Sequence, residues 1–377
     1  MFDPQYMDQY FSQLDQISYI LLVGCSISLL VQLYFILIVQ GSLAFHKTRS
    51  AESLKNDPNI HPLPLSVIIT VRNNEDQLKG NLPAILEQDY PAFEVVVVND
   101  RSEDDTKWVL REMEAAYPNL RVVEIAEHVL SQQGKKFGVA MGIKAATHEH
   151  LVFTEVDCIP ATNQWLRHLS TGFAGGKEIV LGYVPLKRKR GIRNALIRFE
   201  HFYRSINFLA FSLNGNPFMG LGQNMAYTKE LFFRGKGFAS HIHVSSGYDD
   251  LMVNQHATRD NTSIATHKEA HVWKPMPNSV EDYQNQRKLQ RQAVGLYRKK
   301  HRFQLKLQSA SAFLFYMALL ALLAYNLESW PLVLGLYLFR LILQYAVYIP
   351  IAGKLRITRT LWFLPVMDAI HSFRIWK

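Results

Sequence analysis

Residues Ile17 to Val39, ISYILLVGCSISLLVQLYFILIV, carry no charged side chain. About 20 apolar residues wound as a helix cross the roughly 30 Å hydrocarbon core of a bilayer. The run therefore predicts a transmembrane helix over residues 17–45. A secretory signal fits less well, because the flank before it is acidic (Asp3, Asp8, Asp15) and the run is too long for a signal's apolar core. Two further runs follow, SASAFLFYMALLALLAYNL (309–327) and WPLVLGLYLFRLILQYAVYIPIAG (330–353). Joined by the short NLES connection, they read as a transmembrane hairpin over residues 309–353. Arg340 lies inside its second arm, where an ionised side chain is costly, so it is expected to face a partner helix or a polar cavity. The segment 354–377 contains the shorter patch LWFLPVMDAIHSFRIWK, interrupted by Pro365, Asp368 and His371. It is expected to lie in the membrane interface or dip into the bilayer.

Basic residues flank these runs unevenly. His46, Lys47 and Arg49 follow the first, Lys299, Lys300, Arg302 and Lys306 precede the second, and Lys354, Arg356 and Arg359 follow the third. All fall on one side if residues 1–16 are extracytoplasmic and residues 50–308 are cytoplasmic, as the positive-inside rule requires. The expected location is an inner (cytoplasmic) membrane, with membrane lipids as partners. The net charge of +9 is largely explained by these flanks and gives no argument for nucleic acid. The two cysteines, Cys25 and Cys158, are distant and show neither a disulfide framework nor zinc spacing, which suits a reducing compartment.

The middle region alternates strand and helix signals. Val67–Val71 reads as a buried strand, residues 77–88 as a helix and EVVVVND, ending on Asp100, as a second strand. SEDDTKWVLREMEAAY reads as a helix with Ser102 as N-cap and Asp104 and Asp105 at the positive end of its dipole. LRVVEI, GKKFGVAMGIKAA and LVFTEVD continue as strand, helix, strand. This alternation predicts an α/β fold with a mostly parallel sheet, whose ligands bind outside the carboxyl ends of the strands. Asp100 and the pair Glu155/Asp157 stand at two such ends, and acids converging there suggest a bound cation.

These motifs, in this order, resemble glycosyltransferase family 2, the inverting, membrane-anchored enzymes that include cellulose, chitin and hyaluronan synthases. The resemblance covers about residues 63–302 and implies a GT-A fold, a Rossmann-like sheet with flanking helices. SVIITVRNNEDQL, with Arg72 in its turn, is similar to the nucleotide-binding first strand. QDYPAFEVVVVNDRSEDDT is similar to the acidic motif in which the residue at Asp100 contacts the nucleotide. GKKFGVAMGIKAA, with Lys135 and Lys136, resembles the basic helix start, and TEVDCIP stands in the place of D-x-D. GLGQNMAYTKELFFRGKGF resembles the acceptor-side segment, and SGYDDLMVN stands where the catalytic base is found. YQNQRKLQRQAVGLY stands in the place of the Q-x-x-R-W helix. Two departures stand out. Glu155 replaces the first Asp of D-x-D, and Lys288 follows Gln284 and Arg287 where Trp is expected, with Arg291 offering a second register.

The resemblance implies transfer of a sugar from a nucleotide-diphosphate donor. Mg²⁺ or Mn²⁺, held by Asp157 with support from Glu155, would neutralise the leaving diphosphate. Asp249 or Asp250 would take the acceptor's proton, and Lys135, Lys136, Arg287 and Arg291 would hold diphosphate oxygens. A lipid-linked or glycan acceptor is implied because the last motifs lead toward the membrane. A processive synthase and an inactive scaffold subunit are the alternatives. The basic run KRKRGIRNALIRF (187–199) reads as a membrane-surface helix with Ile192, Leu196, Ile197 and Phe199 on its apolar side. His241 and His243 read as loop residues rather than a zinc site.

Overall fold

The computed structural model describes residues 15–56, 61–125, 134–244 and 246–374. Most of the expected extracytoplasmic segment, with Asp3 and Asp8, and the last three residues of the C-terminal segment lie outside the described residues.

Uninterrupted β-branched runs form β1 (Leu65–Val71) and β2 (Phe93–Asn99), and most of their side chains are buried. Such runs mark strands covered on both faces. Val67 and Ile69 share one face with Val95 and Val97, while Val96 and Val98 pack with Ile125 on the other. The remaining strands are β3 (Leu120–Glu124), β4 (His150–Phe153), β5 (Ile159–Pro160), β6 (Ile179–Gly182), β7 (Met225–Thr228), β8 (Thr262–Ala265) and β9 (Val272–Trp273). Seven make one sheet in the order β3-β2-β1-β4-β7-β6-β8, and β5 pairs with β9 apart from it. β1 runs parallel to β2 and β4, and β2 parallel to β3. β7 is antiparallel to β4, with Phe153 opposite Met225. The carboxyl ends of β1, β2 and β4 thus share an edge with the start of β7, and the chemistry gathers there.

The helices that matter below are α1 (Gln16–Phe45), α2 (Glu75–Leu86), α3 (Thr106–Ala116), α4 (Gly134–Ala145), α5 (Ile192–Leu213), α6 (Asp250–His256), α7 (Val280–Gly295), α8 (Lys299–Tyr325), α9 (Trp330–Lys354) and α10 (Leu364–Arg374). α3 begins later than its sequence suggests. Asp105 occupies the cap position, and Ser102 instead accepts the Asn73 N–H at 3.0 Å, lacing the β2 exit to the β1 exit. α4 lies directly on the sheet: a Cβ at Gly142 would come 2.6 Å from Cγ2 of Ile68. The basic run also differs from expectation. Residues 187–190 precede α5, and Ile197 and Phe199 are buried in the protein's own core, whereas Ile192 at the start of the helix is exposed.

Among the described residues, three helices are long and apolar enough to cross a membrane: Gln16–Phe45, Lys299–Tyr325 and Leu327–Lys354. α1 and α8 pack along each other through Cys25, Leu29, Phe315 and Leu322. Arg340 is buried between them and finds its counter-ion on α10, where Asp368 lies 2.8 Å away. Gln32 accepts from the guanidinium, and Tyr316 and Gln344 donate to the same carboxylate. A cation placed in an apolar bundle needs this completeness, because an unpaired one carries the full desolvation cost.

Candidate active site

A cleft of about 810 Å³ opens at the shared sheet edge. Asn74, Gln77 and Asn81 line it from the β1 exit and α2, Asp157 from the β4 exit and Gln223 from the approach to β7. Asp249 enters just before α6, Lys274 just after β9, and Arg204, Tyr283, Arg287 and Gln290 come from α5 and α7. Asn81 also ties α2 to the β4 exit by donating to the Val156 carbonyl at 2.8 Å.

Glu155 and Asp157 part company at the β4 exit. Glu155 accepts Lys135 Nζ and, at 3.0 Å, the Tyr248 hydroxyl on Oε1, and Lys274 Nζ at 2.7 Å on Oε2. Burial alone would raise its pKa, but the two ammonium groups outweigh that and hold the carboxyl well below its ordinary range. Lys135 also lies over the Tyr248 ring, 4.7 Å from its centroid. Asp157 lines the cleft, with Lys274 Nζ 3.9 Å from Oδ2. Cys158 completes a group of three potential ligand atoms within 4.8 Å of one another. Burial, then the two acids, push its thiol pKa well up, and it donates to Asp157 Oδ1 at 3.1 Å. A protonated thiol does not ligate a hard cation. The donor set fits Mg²⁺ or Mn²⁺ in the mode where one carboxylate is joined by substrate phosphates, with Asp157 as that carboxylate and Glu155 engaged by lysines.

The second acidic pair is also divided. Asp249 lines the cleft and accepts the Gly222 N–H on Oδ2 at 2.9 Å. Asp250 is buried behind it, accepting the Tyr297 hydroxyl at 2.8 Å and its own neighbour's amide, Leu251, at 2.8 Å. Burial, then the adjacent Asp249, push the Asp250 pKa up to about 7.

The other expected site residues scatter. Asp100 and Arg72 stand at the β2 and β1 exits but not among the cleft-lining residues; Asp100 pairs with Arg101 at 2.7 Å, and Arg72 points toward Glu103. Lys136 is buried and donates to the carbonyls of His241 and Val244, at 2.5 and 2.8 Å, so it pins residues 241–244 and does not line the cleft. Burial lowers its pKa to about 8. Arg287 lines the cleft while paired with Glu200 at 2.6 Å. Gln284 and Arg291 line a neighbouring cavity instead. His241 is buried at the end of a short 3-10 turn, Ala239–His241. Sequence reasoning missed Lys274, Tyr248 and Tyr297, each of which touches an acid from far along the chain. The only sequence signal for Lys274 is a cation between the apolar pair of β9 and Pro275.

With this geometry in place, the sequence pattern of the family described as glycosyltransferase like family 2 matches residues 61–293. The chain belongs to that family. The chain is 35% identical to Glycosyltransferase AglE of Haloferax volcanii over 141 residues, 37% of this chain and 44% of that protein. It is 24% identical to the poly(ribitol-phosphate) beta-glucosyltransferase of Bacillus spizizenii over 138 residues, 36% of this chain and 21% of that protein. The chain thus spans under half the length of these curated relatives. The mannosyltransferase PcManGT from Pyrobaculum calidifontis, solved with GDP-Man and Mn²⁺, superposes with a TM-score of 0.51 at 19% identity, over 92% of this chain and 99% of that one. That likeness is one of fold, the GT-A-like arrangement of sheet and helices.

Proposed function

We propose that this chain is a membrane-anchored, inverting glycosyltransferase that moves a sugar from a nucleoside-diphosphate donor to a lipid-linked acceptor at the cytoplasmic membrane face. The observation that carries the reading is that Asp157 and Asp249, from distant parts of the chain, line one cleft together with Lys274 and Arg287. Transfer by direct displacement needs a neutralised leaving group on one side of the anomeric carbon and a base on the other.

Asp157 would hold the divalent cation, which would supply positive charge to offset that of the departing diphosphate. Lys274, held by Glu155, presents further positive charge to the cleft beside Asp157, and Lys135 fixes Glu155 from its other oxygen. Asp249 is the base: its carboxylate faces the cleft and the Gly222 amide fixes its direction. The acceptor's hydroxyl oxygen bonds to the anomeric carbon as its proton passes to Asp249. The bond from that carbon to the diphosphate oxygen breaks, and the nucleoside diphosphate leaves with the electron pair. Asp250, held by Tyr297, backs the base without entering the cleft. A protein of the same fold holds GDP-Man and Mn²⁺, and we carry that ligand class to this cleft. The spans at 17–45 and 309–353 anchor the domain of residues 50–308 on the cytoplasmic side, with 1–16 outside and 354–377 against the bundle and the interface.

The test is a thermal-shift screen of the full chain in detergent with UDP-, GDP-, CDP- and dTDP-sugars and Mn²⁺. A ligand that binds only the folded state raises its apparent stability. One donor should stabilise in a Mn²⁺-dependent way that Asp157→Asn removes, and its turnover should give a product of inverted anomeric configuration. The reading fails if wild type neither hydrolyses nor transfers any donor, and Asp157→Asn binds UDP and GDP as well as wild type does.

A further inference from the structure

A second cavity, of about 1050 Å³, adjoins the cleft and shares Ile197, Glu200, Tyr283 and Arg287 with it. Its own walls come from α5, α7 and α10, so it faces the helix that docks on the apolar bundle. Leu196 and Ile370 supply apolar lining, and Arg193, Lys288 and Arg291 supply cations at the same surface. Lys288 is the residue that stands where the resemblance leads one to expect Trp. An aromatic ring there would suit a sugar face. An ammonium group beside two guanidinium groups suits a phosphate.

We propose that this cavity binds the phosphate of a lipid-phosphate-linked acceptor, with the start of the lipid's apolar chain along Leu196 and Ile370. The sugar attached to that phosphate then reaches through the shared wall into the cleft. The inference rests on the transferase reading above and specifies the acceptor's chemistry. Charge complementarity carries it. The lining holds Arg193, Lys288 and Arg291 beyond the Arg287–Glu200 pair, whose charges offset each other and whose carboxylate also accepts the Tyr283 hydroxyl. Continuity with the cleft supplies the second argument: Arg287 stands on the boundary of both spaces and can meet the acceptor's phosphate from one side while facing the reaction on the other. An uncharged polysaccharide chain would gain no charge pairing from these cations and would have to desolvate them.

The experiment uses the full chain in detergent and three probes: geranylgeranyl phosphate, geranylgeraniol and inorganic phosphate. The lipid phosphate should bind at least tenfold more tightly than either of the others. The double variant Lys288→Glu/Arg291→Glu should lose at least tenfold in that binding, and the milder Lys288→Gln/Arg291→Gln should lose less. Mn²⁺-dependent nucleoside-diphosphate binding should be unchanged in both, which also shows that they fold. The inference is overturned if the alcohol binds as tightly as the phosphate, if inorganic phosphate alone accounts for the binding, or if neither variant weakens it. Absence of nucleoside-diphosphate binding in wild type would instead sink the transferase reading, a separate result.

Discussion

Glu155 and Asp157 leave β4 one residue apart, and Asp249 and Asp250 are adjacent ahead of α6. In each pair one carboxylate lines the cleft and the other turns inward. The inward members differ in what they meet. Glu155 meets two lysines and stays ionised, its pKa held low. Asp250 accepts a tyrosine hydroxyl, and burial and the adjacent Asp249 outweigh the pull of Arg204, so its pKa rises to about 7. Closeness in sequence therefore says little about shared role. What decides the role is whether a side chain faces solvent or the interior, and whether a cation waits there.

The largest expected effect separates the members of the second pair. Asp249→Asn should lower the transfer rate by about 10²–10⁴-fold, the usual worth of a general base, while nucleotide binding with Mn²⁺ persists. Asp250→Asn should cost far less, and the reverse ranking in steady-state rates would overturn the division of roles. Next comes the first pair. Asp157→Asn should weaken Mn²⁺-dependent donor binding by about tenfold or more, equivalent to roughly 1.4 kcal/mol. Glu155→Gln should change the Mn²⁺ concentration dependence of donor binding little in a calorimetric titration. Glu155→Gln should instead reduce stability, by about 2 kcal/mol in chemical unfolding. That is below the loss for a fully buried ion pair, because Lys135 and Lys274 keep some contact with water.

The smallest effect is one of pH. Asp250 has a folded-state pKa above its unfolded value, so between about pH 4 and 7 the folded state binds the extra proton and stability falls as pH rises. Asp250→Asn should flatten this part of a plot of unfolding midpoint against pH. Glu155 has the opposite sign: its pKa is depressed, so its contribution is present above about pH 4.5, the ordinary value, and is lost as pH falls. Glu155→Gln should flatten the acid side. A variant that flattened the wrong limb would break the contrast between the pairs.

Much of the fold was legible because burial on both faces leaves continuous β-branched runs such as Val95–Val98, and because charge-free runs of membrane length are rare otherwise. Asp157 was legible through its place at a strand exit, and Asp249 and Asp250 through the GYDD stretch, which does not tell which of the two faces the cleft. The partners were not. Lys274 reaches Glu155 across 119 residues and Tyr297 reaches Asp250 across 47, and no local periodicity records such contacts. Lys136 misled for a related reason: next to Lys135 in sequence, it points the other way round α4, into carbonyls that only the tertiary fold brings near. Ser102 misled because Asn73, on another strand exit, competes for its hydroxyl.

The Arg340–Asp368 pair bears on how the molecule is made. The ribosome delivers the guanidinium with α9 well before it delivers the carboxylate on α10. Until then the young bundle carries a cation with polar neighbours and no counter-ion. Docking of α10 would therefore close the assembly, and a chain stalled before Asp368 would leave an unneutralised guanidinium among the apolar helices.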